Sequence, residues 1–183
     1  MAIAINIGIG IIVKALNLPL YLDSVGTIIS TLIFGWRVGA TVGIMSFVIT
    51  AIFFNPVVVY FVGTQAAIAI YIDWIARRGF FNNAFKTLIS GLGLGVVAAV
   101  VSAPVIIWVF QGATGNGAAL VTSFFAKVGN QIIESILLSG FSIEPIDKTL
   151  QCLLSLYILK GLPKTLLNKF PDVRLKKNGL SDG

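Results

Sequence analysis

The feature that most limits the fold of this chain is a series of long apolar stretches, separated only by short polar or Gly/Pro/Asn segments. The apolar stretches cover residues 2–16, 24–36, 38–54, 57–76, 84–110 and 146–163. A spanning helix needs about 20 predominantly apolar residues, and a water-soluble domain seldom contains so many such stretches in succession. The pattern therefore predicts an all-α integral membrane protein with six transmembrane helices.

Composition supports this prediction and limits the chemistry. Hydrophobic residues make up 57% of the 183 residues, charged residues make up 11%, and the mean hydropathy is +0.97. We expect one six-helix membrane domain over residues 1–165, followed by a basic cytoplasmic tail over residues 166–183. The chain has no histidine and a single cysteine, Cys152. A Cys/His metal site, an internal disulfide and a bound cofactor are therefore not expected.

The positions of the basic residues predict the topology. Arg37, Arg77, Arg78 and Lys86 lie in two of the short connections, and further lysines and arginines follow from Lys160 onwards. By the positive-inside rule these regions face the cytoplasm. An even number of crossings then joins a cytoplasmic N-terminus to a cytoplasmic tail, so six spans fit this charge pattern and seven do not.

Residues 118–141 do not fit a simple span. The stretch is apolar, but Lys127, Asn130, Gln131 and Glu134 lie near its middle, where contact with lipid is costly. We therefore expect an additional outer-side helical or re-entrant segment over 118–141, with its polar side chains turned inward. On a helix Glu134 shares a face with Lys127, so this face is either an internal ion pair or one wall of a binding site.

The predicted topology places three polar loops on the outer side: residues 17–24, 53–56 and 111–117. A polar molecule that arrives from outside would meet these loops first. Their candidate ligand-binding side chains are Tyr21, Asp23, Asn55, Thr114 and Asn116. Asp23 has an alternative role, because Asp23 or Ser24 is also suited to cap the helix that starts at "VGTIIST". The two roles are compatible.

Polar residues within and beside the spans complete the candidate site. Gln65 lies near the middle of the fourth stretch, close on a helix to Tyr60, and its amide can both donate and accept hydrogen bonds. It is either a ligand contact or a bond between helices. The full set of predicted substrate-binding residues is Tyr21, Asp23, Asn55, Tyr60, Gln65, Thr114, Asn116, Gln131 and Glu134.

Other charged residues near the span ends have simpler interpretations. Asp73 lies one helical turn before Arg77, which predicts an ion pair at the cytoplasmic end of the fourth span. Asp147 and Lys148 come at the start of the last span, where an acid favours a helix N-terminus. For these two residues we expect a structural role rather than a ligand contact.

Small residues predict two close helix contacts. The run "GLGLG" at 91–95 does not fit a dinucleotide-binding pattern and is expected to form a thin helix face for packing. In the first span Ala4 and Gly8 are four residues apart, with Ala2 close by. This flank packs either within the chain or against another protein. The chain contains no GxxxxGK[ST] motif for ATP phosphates, so a transport cycle driven by ATP would need a partner.

Five motifs together resemble a known family. "LPLYLDSVGTIIS", "FGWRVGATVG", "FFNPVVVYF", "GATGNG" and "IDKTLQCLLSLYILKGLPKTLL" are similar, in order and spacing, to the substrate-binding membrane subunit (S component) of energy-coupling factor (ECF) vitamin transporters. The resemblance implies a six-helix subunit in the bacterial cell membrane that captures a vitamin or precursor at its outer face. It also implies a transmembrane scaffold subunit (T component) and two ATP-binding subunits as partners, with the flank of Ala2, Ala4 and Gly8 docking on the scaffold.

The substrate class follows from the polar but mostly uncharged candidate residues. We expect a compact, largely uncharged heteroaromatic molecule, which within the ECF family favours a pyrimidine or pyridine precursor such as hydroxymethylpyrimidine or pyridoxine. The alternative function is a stand-alone, proton-coupled secondary transporter in which Asp23, Asp73 or Glu134 titrates. Enzyme activity and nucleic-acid binding are not expected, because an intramembrane enzyme without histidine has few nucleophile and base pairs to use.

Overall fold

The computed structural model describes residues 1–110, 121–123, 126 and 131–162. Within these residues every regular element is helical, which confirms the predicted all-α class. The elements are α1 (Ala2–Ala15), α2 (Val25–Phe34), α3 (Trp36–Phe53), a 3-10 helix (Pro56–Phe61), α4 (Val62–Ala76), α5 (Ala84–Trp108) and α6 (Ile132–Lys160).

Three helical segments are long and apolar enough to cross a membrane. They are α3 with 18 residues, the 3-10 helix together with α4 (Pro56–Ala76) with 21, and α5 with 25. Two further apolar helices are shorter, because α1 has 14 residues and α2 has 10. The second predicted span, residues 24–36, is interrupted at Gly35, whose φ of 88° ends α2 and starts α3.

The C-terminal part of the fold differs from the prediction. The sequence predicts an outer-side segment over 118–141 and a separate last span over 146–163. The structure instead has one continuous helix, α6, of 29 residues. Pro145 lies inside it, and the backbone there packs against Gly95 of α5 so closely that a Cβ on Gly95 would overlap it. This packing holds the helix together through the proline.

Glycines of α5 make the close contact with α6, as the sequence predicted. An added Cβ on Gly91 would overlap Thr149, and one on Gly95 would come within 2.8 Å of the Glu144 carbonyl carbon. Gly93 lies on another face of α5, where an added Cβ would overlap the Tyr71 hydroxyl. The thin face of α5 therefore consists of two glycines one turn apart.

The helices surround α2. Val25, Ile28 and Leu32 of α2 are fully buried, and α2 contacts α1, α3, α4 and α6. The outer helices turn apolar side chains away from this core. On α5 a stripe of large residues is exposed: Leu88, Leu92, Val96 and Val100. An apolar face of this size without protein cover is typical of contact with lipid or another protein.

The two ends of the helices differ in chemistry. At one end Asp73 forms the predicted ion pair with Arg77, at 2.8 Å between Oδ2 and Nε. Beside this pair the Arg78 guanidinium lies 3.5 Å from the centre of the Trp74 ring. At the other end the loop after α1, the C-terminus of α3 and Asn55 surround a cavity. The Asp73–Arg77 pair and the Arg78–Trp74 contact therefore lie at the end opposite the cavity.

Candidate binding site

The loop between α1 and α2 forms one wall of the cavity. Two of its non-glycine residues, Asn17 with φ of 50° and Leu22 with φ of 47°, adopt the left-handed conformation. This conformation costs about 1–2 kcal/mol per residue outside glycine, with asparagine at the low end. The loop therefore holds its shape through contacts made elsewhere in the fold.

Asp147 of α6 provides the main contacts that hold this loop. Its Oδ1 accepts hydrogen bonds from the backbone N–H groups of Tyr21 and Leu22, each at 2.9 Å. Its Oδ2 accepts from Lys148 Nζ at 2.6 Å and from Gln151 Nε2 at 2.7 Å. All four bonds are made by a fully buried carboxylate. Asp147 therefore ties the loop to the middle of α6 and does not begin a helix there.

Lys148 is the centre of a buried cluster of charges. Its side chain is only 4% exposed and faces three carboxylates. The Nζ atom lies 2.6 Å from Asp147 Oδ2, 3.5 Å from Glu144 Oε2 and 3.8 Å from Asp23 Oδ1. Glu144 and Lys148 are four residues apart on α6, so one helix face carries both signs of charge.

Asp23 faces this cluster rather than capping α2. Ser24 is the N-cap residue of α2, and no side chain makes a capping bond there. The Asp23 Oδ1 atom accepts a hydrogen bond from Ser24 Oγ at 2.9 Å and lies beside Lys148. Burial raises the pKa of the Asp23 carboxyl, and the Lys148 charge opposes that increase. The neighbouring Tyr21 hydroxyl also has a raised pKa, chiefly because of burial.

Gln65 joins a chain of hydrogen bonds between helices. Its Nε2 donates to Ser24 Oγ at 2.8 Å, and its Oε1 accepts from Thr27 Oγ1 at 2.9 Å. Asn6 continues the chain, because its Nδ2 donates to Thr27 Oγ1 at 3.0 Å and to Ser46 Oγ at 3.1 Å. Of the two roles considered for Gln65, the structure contains the bond between helices. Gln65 also borders a small cavity.

Two neighbouring cavities lie on either side of Tyr21 and Asp23. The larger has a volume of about 400 Å³ and lies between α1, the loop after it and the C-terminal half of α3. The smaller, of about 80 Å³, extends towards α4, α5 and α6 and reaches Glu144 and Lys148. The residues that border both cavities are Tyr21, Asp23, Phe47, Asn55 and Val58.

The structure brings together four of the predicted residues and separates others. Tyr21, Asp23 and Asn55 border both cavities and Gln65 borders the smaller one, although the Asn55 side chain also caps the 3-10 helix at Val57 N. The remaining described candidates lie elsewhere: Tyr60, Gln131 and Glu134. Thr114 and Asn116 lie outside the described residues.

These three separated residues have local roles. Tyr60 is 54% exposed and makes an edge-on ring contact with Phe110, at 5.5 Å between ring centres. Gln131 and Glu134 are exposed and form a capping box at the start of α6, in which the Glu134 carboxylate accepts from the Gln131 backbone N–H at 3.4 Å. Glu134 therefore caps the start of α6 and borders neither cavity.

The small-residue flank of α1 divides between two environments. Ala4 and Gly8 are exposed, and nothing lies within 4 Å of a Cβ added to Gly8. Ala2 is half-buried, and its carbonyl oxygen lies against Gly26 of α2. Gly10, two residues beyond Gly8, faces inward and borders the larger cavity. Thus Ala4 and Gly8 are not used for packing within the described chain.

Two residues of the site are absent from the candidates predicted from the sequence, and a third is predicted in a structural role only. Glu144 and Asn6 were not among the candidates, and Lys148 was assigned a structural role only. Glu144 and Lys148 border the smaller cavity, and Asn6 borders the larger one. A signal was present, because "EPIDK" places Glu144, Asp147 and Lys148 at helical spacing on one face.

The assembled site is a concave space with aromatic walls, amide groups and a buried charge cluster. In the part of the chain that the structure describes, no set of three or more acidic or cysteine side chains is arranged to hold a metal ion. Comparison of the chain with known protein families, with curated proteins and with solved structures found no match.

Proposed function

We propose that this chain is the substrate-binding membrane subunit of an ATP-driven importer of the ECF type. It captures a small vitamin or vitamin precursor at the outer face of the bacterial cell membrane. The observation that carries the proposal is the cavity of about 400 Å³ bordered by Tyr21, Asp23 and Asn55. Its volume lies within the range of about 300–1,000 Å³ that small-molecule pockets occupy. Its aromatic side chains and its amide and hydroxyl groups suit a compact ring with polar substituents.

The distribution of charge supports an outward orientation of the cavity. Arg37, Arg77, Arg78 and Lys86 lie at the connections from α2 to α3 and from α4 to α5, at the end opposite the cavity. Basic residues favour the cytoplasmic side of a membrane. With that end inside, the loop after α1 and Asn55 face outward, where a nutrient arrives. In this proposal α1, α2 and the C-terminal part of α6 complete six spans by tilt and local thinning of the bilayer.

The proposed partners are a transmembrane scaffold subunit and two ATP-binding subunits. The exposed flank at Ala4 and Gly8 supports a docking face, because small residues four apart let a second helix approach closely in lipid. Gly8→Leu places a large side chain on this flank, where nothing described lies within 4 Å of an added Cβ. We expect it to abolish co-purification with the other subunits, while ligand binding by the isolated subunit is retained.

Uptake in cells tests the proposal. Cells that express this chain alone are compared with cells that also express the scaffold and the two ATP-binding subunits. We expect accumulation of the radiolabelled substrate only in the second case, and its loss when the ATP-binding subunits carry inactive phosphate-binding motifs. Accumulation by the chain alone, dissipated by a protonophore, would contradict the proposal.

That contrary result would favour the second candidate, a stand-alone proton-coupled transporter. The observation in favour of this candidate is the buried cluster of Asp23, Glu144 and Lys148, because buried ionisable groups often form proton pathways in membrane proteins. In that case Glu144→Gln would abolish proton-driven uptake while ligand exchange across the membrane continues. The importer proposal expects no dependence on the proton gradient.

A further inference from the structure

The charges beside the smaller cavity do not balance. Three carboxylates, of Asp23, Glu144 and Asp147, face one buried ammonium group, that of Lys148. Asp147 is the closest counter-ion of Lys148, at 2.6 Å, and its other oxygen is occupied by two backbone N–H groups. One lysine cannot neutralise three ionised carboxylates, so a second cation at the cavity wall would stabilise the charged forms of Asp23 and Glu144.

The Glu144 carboxylate is incompletely satisfied. Glu144 is 7% exposed, and its buried Oε2 has no hydrogen-bond partner among the described residues, although Lys148 Nζ lies 3.5 Å away. A buried acceptor without a hydrogen bond is costly, and it is rare in native proteins unless a water or ligand completes the site. Glu144 also borders the smaller cavity. An N–H donor in this cavity would complete its hydrogen bonding.

Aromatic rings favour a flat cation in the same place. Tyr21, Phe47 and Phe61 border the smaller cavity together with Glu144. The negative face of an aromatic ring attracts a cation within about 6 Å. The Tyr21 ring already has Lys148 Nζ at 5.6 Å from its centre. Lys14 borders the larger cavity but not the smaller one, and it is exposed in the last turn of α1.

We propose that the ligand carries a positive charge, and that its cationic group occupies the smaller cavity against Glu144 and Asp23. The group is a protonated amine, an amidine or a protonated amino-substituted ring, and the remainder of the molecule lies in the larger cavity. This inference rests on the proposed substrate-binding function. It changes the expected substrate class from a largely uncharged heteroaromatic to a cationic one.

Matched pairs of small aromatic compounds test the inference. Benzamidine and benzylamine are the cations, and benzamide and benzyl alcohol are their neutral counterparts of similar shape. Binding to the full chain, purified in detergent, is measured by calorimetric titration at neutral pH. A charge-assisted bond to a carboxylate should make each cation bind about ten- to a hundredfold more tightly than its neutral counterpart.

Variants assign the preference to the two carboxylates. Glu144→Gln keeps the shape of the side chain and removes its charge, and we expect the cation preference to fall about tenfold. Asp23→Asn should also lower the preference for the cations. Because Asp23 is partly exposed, this variant serves as the test if Glu144→Gln does not fold. The matched control is Glu134→Gln, the same change on the same helix at the exposed capping box, which should leave the preference unchanged.

The outcomes separate this inference from the function on which it rests. A preference for the cations that disappears in the Glu144 and Asp23 variants supports the inference. Equal or tighter binding of the neutral compounds overturns it but leaves a ligand site in place. A cation preference that survives in both variants also overturns it. If none of the four compounds binds, the cavities do not accept small aromatic molecules, and the proposed function fails with the inference.

Discussion

Asp147 and Asp23 both lie next to Lys148, yet the structure predicts opposite consequences when each is replaced by asparagine. Asp147 is fully buried and accepts four hydrogen bonds, two of which hold the backbone of the loop after α1. An asparagine there can keep the bonds to the loop through its carbonyl oxygen. Its amide N–H₂ group would then face two donors, Lys148 Nζ and Gln151 Nε2, which repel it.

The expected magnitudes differ accordingly. Removing one partner of a buried ion pair costs about 3–5 kcal/mol, and the lower end applies to Asp147→Asn because Glu144 and Asp23 still face Lys148. For a domain of this size, about 3 kcal/mol lowers the melting temperature by about 6–12 °C. Asp23 has a side chain that is 27% exposed and lies 3.8 Å from Lys148. Asp23→Asn should therefore lower the free energy of unfolding by at most about 1 kcal/mol. The melting temperature should then fall by less than about 4 °C.

Thermal melts of the two variants and the wild type, in the same detergent and without ligand, measure this difference. Ligand titration should show the reverse order, because Asp23→Asn loses affinity while it keeps its stability. Equal melting temperatures for the two variants would refute the assignment of Asp147 to structure and Asp23 to binding. So would a greater loss of stability in Asp23→Asn.

Three further predictions address the polar network, the helix contact and the topology. Asn6→Leu leaves the buried Gly26 backbone N–H without its acceptor and removes one donor each from Thr27 and Ser46. It should destabilise the protein by about 1–3 kcal/mol in a thermal melt, and an unchanged melt would contradict the network. Gly95→Ala forces α5 and α6 apart and should lower the free energy of unfolding by about 1–3 kcal/mol. Gly63→Ala is the control, because a Cβ there has open space and should not lower it. Equal effects of the two variants would contradict the close contact. The topology is tested in a Cys152→Ser background. Leu16→Cys should react with a membrane-impermeant thiol reagent in whole cells, and Ala84→Cys should react only after lysis. The opposite pattern would reverse the proposed orientation.

The existence of the helices could be predicted from the sequence because their apolar runs are long and clearly interrupted. Their bounds could not all be predicted. α2 ends at Phe34 because Gly35 follows it, two residues before the end of the predicted span 24–36, so the break between the second and third spans is predicted and only its position is not. α6 continues through Pro145, which a sequence pattern favours as a boundary, because its packing against α5 is visible only in three dimensions.

The site could be predicted only in part. Tyr21, Asp23 and Asn55 were identifiable because they are polar residues in predicted outer loops, and they do border the cavities. The partners of the first loop were not identifiable, since Asp147 lies 125 and 126 residues along the chain from Leu22 and Tyr21. Glu144 was missed for the same reason, because no local pattern indicates which loop a helix face will contact.

The central claim, that the larger cavity binds a small molecule, is tested most directly by native mass spectrometry of the chain purified from membranes. Gly10 borders this cavity, and a Cβ there meets only Asp23 Cβ at 3.7 Å, so Gly10→Phe adds a large side chain at the cavity wall. Gly63→Phe is the matched control, because Gly63 borders neither cavity and has open space. We predict that the wild type and Gly63→Phe carry the same bound small molecule and that Gly10→Phe carries none. A wild type without a bound molecule, or a Gly10→Phe variant that retains it, would contradict the account.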